Sequence, residues 1–144
     1  MADTDDSERP IPVVHNLVAT AQIQTSAPLQ LDRLNQIFRF SSFNRRKFAA
    51  VTLRLTRPNC TILLFTSGKL VITGSKSSSE ALLSAYHVSR LLRRVCVGQK
   101  FQVVDYQIQN IVGNAELDVK EGQILDIEGV ILTVFSNLSH WVFL

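Results

Sequence analysis

The chain is poor in the residues that build stapled, metal-bound or membrane-spanning proteins. Its 144 residues include two cysteines, one methionine, one tryptophan and four prolines. Cys60 and Cys96 have neither metal-like nor redox-like spacing, the usage expected of reduced thiols in an intracellular protein. His15, His87 and His140 are scattered, with no pair at ligand spacing, so no metal site is expected. No run of about 18 apolar residues occurs, so neither a spanning helix nor a membrane partner is expected. The acidic opening MADTDDSERP lacks the apolar core of a secretory signal. Without a glycine-rich phosphate loop or a nucleophile–base grouping, neither an enzyme nor a bound cofactor is expected.

What is present is length and hydrophobic content enough for one domain with a core, 46% of the residues being hydrophobic. The net charge of +3 conceals a polarity along the chain. Residues 1–9 are net −3, residues 10–110 carry thirteen Lys or Arg against three acids, and residues 111–144 are net −4. A central block at +10 attracts polyanions, nucleic acid first among them. A basic surface that merely keeps the protein soluble is the plainer alternative.

The stretch from Phe48 to Gly74, FAAVTLRLTRPNCTILLFTSGKLVITG, contains three alternating runs separated by Arg57-Pro58-Asn59 and by Ser67-Gly68. This is the pattern of an antiparallel meander. Around it, Ile11 to Ile23 predicts a strand, and Leu29 to Phe40 a helix with Leu31, Leu34, Ile37 and Phe38 on its apolar stripe. Ser77 to Val97 predicts a second helix, opened by a Ser77/Glu80 capping box and closed by Gly98. Leu82, Ala85, Ser89, Leu92 and Cys96 mark its inner face, while Arg90, Arg93 and Arg94 form either a solvated face or a partner surface. Phe101 to Leu117 is an extended run. The sum is an α+β unit in which both helices cover one face of a five-strand antiparallel sheet.

Two helices leave the other face uncovered, and that face is apolar. Val18, Phe48, Leu63, Phe65 and Val71 lie on it with Thr73, beside Lys47, Arg54 and Lys69. Contiguous exposed apolar surface usually marks a binding site. From the alternation alone, Phe48 and Phe65 could equally be core residues beneath a further layer.

The chain also repeats itself. Asn16-Leu17-Val18-x-x-Ala21 recurs as Asn110-Ile111-Val112-x-x-Ala115, an offset of 94 residues. Leu31-Asp32 recurs as Leu125-Asp126 and Ile37 as Ile131 at the same offset, which implies a pseudosymmetric architecture. Beyond Leu132 the meander is not reproduced.

On VVHNLVATAQI, FNRRKFAAVTLRLTRPNCTILLFTSGKLVITGSKS and FQVVDYQIQNIVGNAELD, the chain resembles the TATA-box-binding protein family over residues 11–132. The resemblance implies a saddle repeat with a curved sheet, two helices on its convex side and a bare DNA-facing side. It divides the chain into an acidic disordered tail (1–10), a first repeat (11–109) and an incomplete second repeat (110–144) with a divergent apolar ending. It also implies minor-groove binding of TATA-type promoter DNA, nucleation of preinitiation-complex assembly and a nuclear location. Phe48 and Phe65 would be the wedges; Val18, Leu63 and Val71 the apolar contacts; Asn16, Thr73 and Asn110, with Val112 beside it, the base-reading group. Lys47, Arg54, Ser67 and Lys69 would hold phosphates.

The chain departs from the family at Arg45, where a proline is usual, and at Thr56-Arg57, where a basic-acidic pair commonly precedes Pro58. The second departure bears on contact with transcription factor IIA. An incomplete second repeat would lack the turn that docks transcription factor IIB, would weaken the grip on DNA and would expose strand edges through which two chains could form a homodimer. The competing expectation is an interaction protein that sequesters basal factors without gripping DNA tightly.

Overall fold

A computed structural model describes the backbone of residues 10–122 and 124–142, and side chains throughout these ranges except at Phe135 and residues 138–142. The acidic tail at residues 1–9 and the last two residues of the apolar ending lie outside the described residues. The elements in order are β1 (Val13–Gln24), α1 (Leu31–Ile37), β2 (Ser41–Ser42), β3 (Ala50–Thr56), β4 (Asn59–Phe65), β5 (Lys69–Ser75), α2 (Ser78–Val95), β6 (Gln102–Asn114) and α3 (Ile127–Val142). The strands form one antiparallel sheet in the order β2-β3-β4-β5-β1-β6. The sequence suggests five strands and two helices; the short β2 and the helix α3 are additions.

Alternation decides which side of the sheet is sealed. Leu17, Ala19, Ala21 and Ile23 of β1 point to one side with Val51 and Leu53 of β3, Cys60, Ile62 and Leu64 of β4, and Leu70 and Ile72 of β5. Leu31, Leu34 and Phe38 around α1 and Ala81, Ala85, Val88 and Leu92 of α2 close over them, with Phe101 plugging the turn into β6. Each large side chain sealed there stabilises the fold by about 1.5–3 kcal/mol.

Both helices are shorter than the periodicity suggests. At α1 the chain turns extended at Phe38, and Phe40 is drawn out so that its carbonyl accepts from Arg54 N at 3.0 Å. Ile37, placed on the stripe by its spacing, is exposed. In α2 the buried face comprises Ala81, Ser84, Ala85, Val88, Ser89 and Leu92, whereas Leu82 and Cys96 lie only at its margin. Small residues let this helix lie close on the sheet, so its contact line follows Ala and Ser rather than the bulkiest side chains. The capping box forms in a shifted version: Ser77 Oγ accepts from Glu80 N at 3.2 Å, while Glu80 Oε2 reaches back to Lys76 N. Tyr106 of β6 ties the same helix start down, its hydroxyl donating to Ser78 O at 3.0 Å. At the far end, Ser89 Oγ and Arg93 Nη2 both donate to Phe101 O, so Arg93 is committed to the fold rather than free beside Arg90 and Arg94.

The repeat is written into the β1–β6 pairing. Leu17 pairs with Ile111, its own counterpart at the 94-residue offset. Around that pair Asn16↔Val112 exchanges with Val18↔Asn110, Val14↔Gly113 with Ala19↔Ile108, and Val13↔Asn114 with Thr20↔Gln107. Two of the three register shifts obey the same operation, one skipping His15 and the other Gln109; the third lies between Thr20 and Gln22. The seam is therefore a local two-fold. Beyond it the symmetry fades: α3 begins near the position matching α1 but runs for 16 residues against seven. Among the described residues, no helix is long and apolar enough to cross a membrane.

Two outcomes follow for folding. Ser77→Ala removes the cap of α2 and is expected to lower stability by about 1 kcal/mol in urea denaturation. Burial pushes the Cys60 thiol up, opposed by its hydrogen bond to Ser84. The unfolded thiol ionises first as pH rises, so this group's contribution is intact below the unfolded thiol's titration and lost above it. Denaturation midpoints measured across the alkaline range should fall more steeply for the wild type than for Cys60→Ala.

Candidate nucleic-acid interface

The unsealed side of the sheet follows from the same alternation. One cross-strand row runs Thr52–Leu63–Val71–Thr20–Gln107 through β3, β4, β5, β1 and β6. At about 4.8 Å per strand this row is about 19 Å long, the axial length of five to six base pairs. A parallel row holds Arg54, Thr61 and Thr73. Thr52, Leu63, Val71, Thr20, Thr61 and Thr73 are all half-buried, intermediate between core and fully solvated side chains.

At one end of this face, where β4 turns into β5, Phe65 meets Phe48. Their rings lie edge to face with centroids 5.9 Å apart and planes at 67°. Phe48 is 48% exposed, and the helix-side core forms without either ring. The two rings thus lie outside the sealed layer.

Exposed cations flank the pair. Lys47 sits in the turn before Phe48, its N–H donating to Asn44 O at 3.0 Å, and Lys69 begins β5 just past Ser67 and Gly68. Gly68 has φ +87°, and a Cβ there would lie 2.2 Å from Ile23 O, so only glycine lets this turn close against β1. Gln22 braces it, donating from Nε2 to Ser67 O at 2.7 Å. Arg54 is exposed on β3 opposite Thr61, away from the aromatic end.

The polar groups gather at the seam. Asn16 Oδ1 accepts from Gly74 N at 2.8 Å and, at 3.4 Å, from Thr73 Oγ1. The amide is thereby oriented, leaving Nδ2 with its two donors for a ligand. Asn110 lies diagonally across the Leu17↔Ile111 pair and is exposed, as is Val112, while Val18 beside it is half-buried. All thirteen residues singled out from the sequence thus lie on this face or on the turns at its rim. The sequence reading passed over Thr20, Gln22, Thr52, Thr61, Gln107 and Gln109, which share the face. Counting in twos from Asn16 would have found the β1 pair; the β6 residues needed the bulge.

The family model described as transcription factor TFIID (or TATA-binding protein, TBP) matches residues 11–95. The chain belongs to the TATA-box-binding protein family. Curated relatives include the TATA-box-binding protein of Artemia franciscana, 34% identical over 123 residues, covering 85% of this chain and 42% of the relative. That of Saccharomyces cerevisiae is 34% identical over 115 residues, covering 80% of this chain and 46% of the relative. A solved structure of Methanococcus jannaschii TBP superposes with a TM-score of 0.60 at 25% identity, covering 71% of this chain and 57% of that one. The chain spans less than half the length of these two curated relatives and corresponds to about one family repeat. The fold is the family's saddle fold, with a curved antiparallel sheet.

Because the rings lie outside the sealed core, Phe48→Ala is expected to change unfolding free energy by less than about 1 kcal/mol, whereas Ile72→Ala should cost about 2–5 kcal/mol. Chemical denaturation of the two variants checks this.

Proposed function

We infer that the sheet face opposite α1 and α2 binds promoter DNA of TATA type in the minor groove, and that the protein acts in the nucleus as a transcription initiation factor. The observation that carries this reading is the Phe48–Phe65 pair, two rings standing unsealed on an apolar sheet face between exposed cations. Apolar wedges inserted between base steps kink the duplex toward the major groove, a mode of binding for which this family is itself a type example. Phe48 and Phe65 fill the wedge role here. The cost of unstacking is a few kcal/mol per step, and TA steps yield most easily.

The remaining residues divide by chemistry. Val18, Leu63, Val71 and Val112 press on sugars and base edges. Asn16, Asn110 and Thr73 supply the few hydrogen bonds, and the oriented Asn16 amide offers donors to a groove floor that in A·T pairs displays acceptors alone. A guanine amino group brought to this face would be desolvated against methyl groups, which disfavours G·C. Lys47, Arg54, Ser67 and Lys69 hold phosphates. Basal transcription factors are the expected protein partners. The Arg57-Pro58-Asn59 turn between β3 and β4 is the place for a contact of the transcription factor IIA type, and no IIB-type contact is assigned.

The described residues present one aromatic pair on this face, so the 144-residue polypeptide is expected to grip DNA weakly as a monomer. Two copies would bring two pairs. The same observation favours the competing reading, capture of basal factors without tight DNA binding.

Fluorescence anisotropy with labelled duplexes separates the two readings. Tighter binding to a TATA duplex than to its G·C-substituted counterpart is expected, with a loss of about tenfold or more, equal to 1.4 kcal/mol, in Phe48→Ala/Phe65→Ala. Equal affinity for both duplexes, unchanged in the double variant, would remove the minor-groove reading and leave partner capture.

A further inference from the structure

The rim strand β2 extends the open face by one position and carries a hydroxyl there. It ends the sheet on the meander side, and alternation sends its two serines to opposite sides. Ser41 pairs with the buried Leu53, and Ser42 with Thr52. Thr52 begins the cross-strand row through Leu63, Val71, Thr20 and Gln107, so Ser42 is the outer end of that row. Ser41 is committed to the fold, its Oγ donating to Phe38 O at 2.6 Å. Ser42 is exposed.

The residues around it run Arg39-Phe40-Ser41-Ser42-Phe43. An arginine three residues before a serine, with an apolar residue directly after it, suits an arginine-directed serine/threonine kinase. Carboxylates in such a cleft pair with the guanidinium, and an apolar subsite receives the following side chain. Of all the serines and threonines in the chain, Ser42 alone stands three residues after an arginine. Arg39 is exposed in the turn before β2, and Phe43 is only partly buried. The strand is two residues long at the edge of the sheet, so lifting it into a cleft breaks few hydrogen bonds.

We propose that Ser42 is a phosphorylation site for an arginine-directed serine/threonine kinase, and that the phosphate it receives weakens the chain's hold on DNA. The weakening rests on the reading of this face as a DNA interface. In the transfer, Ser42 Oγ attacks the γ-phosphorus of ATP. The Oγ–P bond forms as the bond from that phosphorus to the ADP oxygen breaks, and the hydroxyl proton passes to a carboxylate of the kinase. The product carries a charge of about −1.5 to −2 at neutral pH. Arg54 N donates to Phe40 O, which sets the exposed Arg54 diagonally across from Ser42 and on the same side of β3 as Thr52. Long side chains bridge that diagonal, and a guanidinium binds phosphate by charge-assisted hydrogen bonds. Arg54 is one of the cations assigned to DNA phosphates, so the modification removes an attraction and adds a repulsion at one place.

Two measurements on the full chain test this. Incubation with ATP and the catalytic subunit of cAMP-dependent protein kinase, followed by phosphopeptide mapping, should place phosphate on Ser42. Ser42→Ala should abolish incorporation, Ser41→Ala should retain it, and Arg39→Ala should slow it by about tenfold or more. In anisotropy titration of a TATA duplex at low salt, the phosphorylated chain should bind about tenfold more weakly than the unmodified one, with a shallower salt dependence. Kinase-treated Ser42→Ala should bind like the unmodified wild type. In Arg54→Ala the loss caused by the phosphate should shrink, because the pair is gone. No incorporation, phosphate retained in Ser42→Ala, or a rate undiminished in Arg39→Ala overturns the site. Phosphate on Ser42 with TATA-selective binding unchanged overturns the weakening and spares the DNA-binding reading. Absence of selective binding by the unmodified chain overturns that reading and the weakening together, and the mapping still decides the site.

Discussion

One-sided burial is the constraint on which the rest of this structure depends. Two helices close a single face of a six-stranded sheet, and strand alternation sends every second residue to the other side. Sealing Leu17, Ile62 and Ile72 therefore fixes where Asn16, Leu63 and Val71 stand. The exposed face has no freedom to rearrange independently of the core, because its residues sit on the same backbone. A binding surface built this way inherits its rigidity from packing that it never touches.

That coupling also explains how much could be read from the amino-acid order. In the meander each strand is seven residues long, its turns are punctuated by Pro58 and Gly68, and every side chain has an assigned face. Phe48 and Phe65 could be paired before any coordinates, since both fall on the face that the helices leave open. The inner face of α2 was harder to read. A helix lying close on a sheet buries Ala81, Ser84 and Ser89, and size-weighted periodicity gives such residues little voice. The seam was harder still. One skipped residue at His15 and another at Gln109 shift the alternation, and a period of two carries no sign that a strand is bulged. Only the 94-residue offset, applied to the pairing itself, makes both bulges intelligible.

The polar groups of the face show a second economy. Asn16 has its acceptor occupied by the backbone of Gly74, and Gln22 spends its amide on the β4–β5 turn. Gln109 and His15 cross the seam. These side chains are held in place by the protein before any ligand arrives. Fewer rotamers remain to be frozen on binding, which lowers the entropic cost of a polar contact. The apolar members need no such bracing, since Val18, Leu63 and Val71 have little conformational freedom to lose.

The self-matching of β1 and β6 has a consequence for direction. An operation that carries Leu17 onto Ile111 and each bulge onto the other leaves the middle of the face looking the same from either end. A double helix has the same property, its two strands being interchangeable by rotation. A protein that met DNA through the seam alone would have no means of telling upstream from downstream. Any sense of heading must come from outside that centre, from the aromatic end of the meander, or from places where the two halves carry different chemistry, such as an imidazole matched by an amide. The symmetry that makes the middle of the saddle sturdy is also what leaves it without a compass.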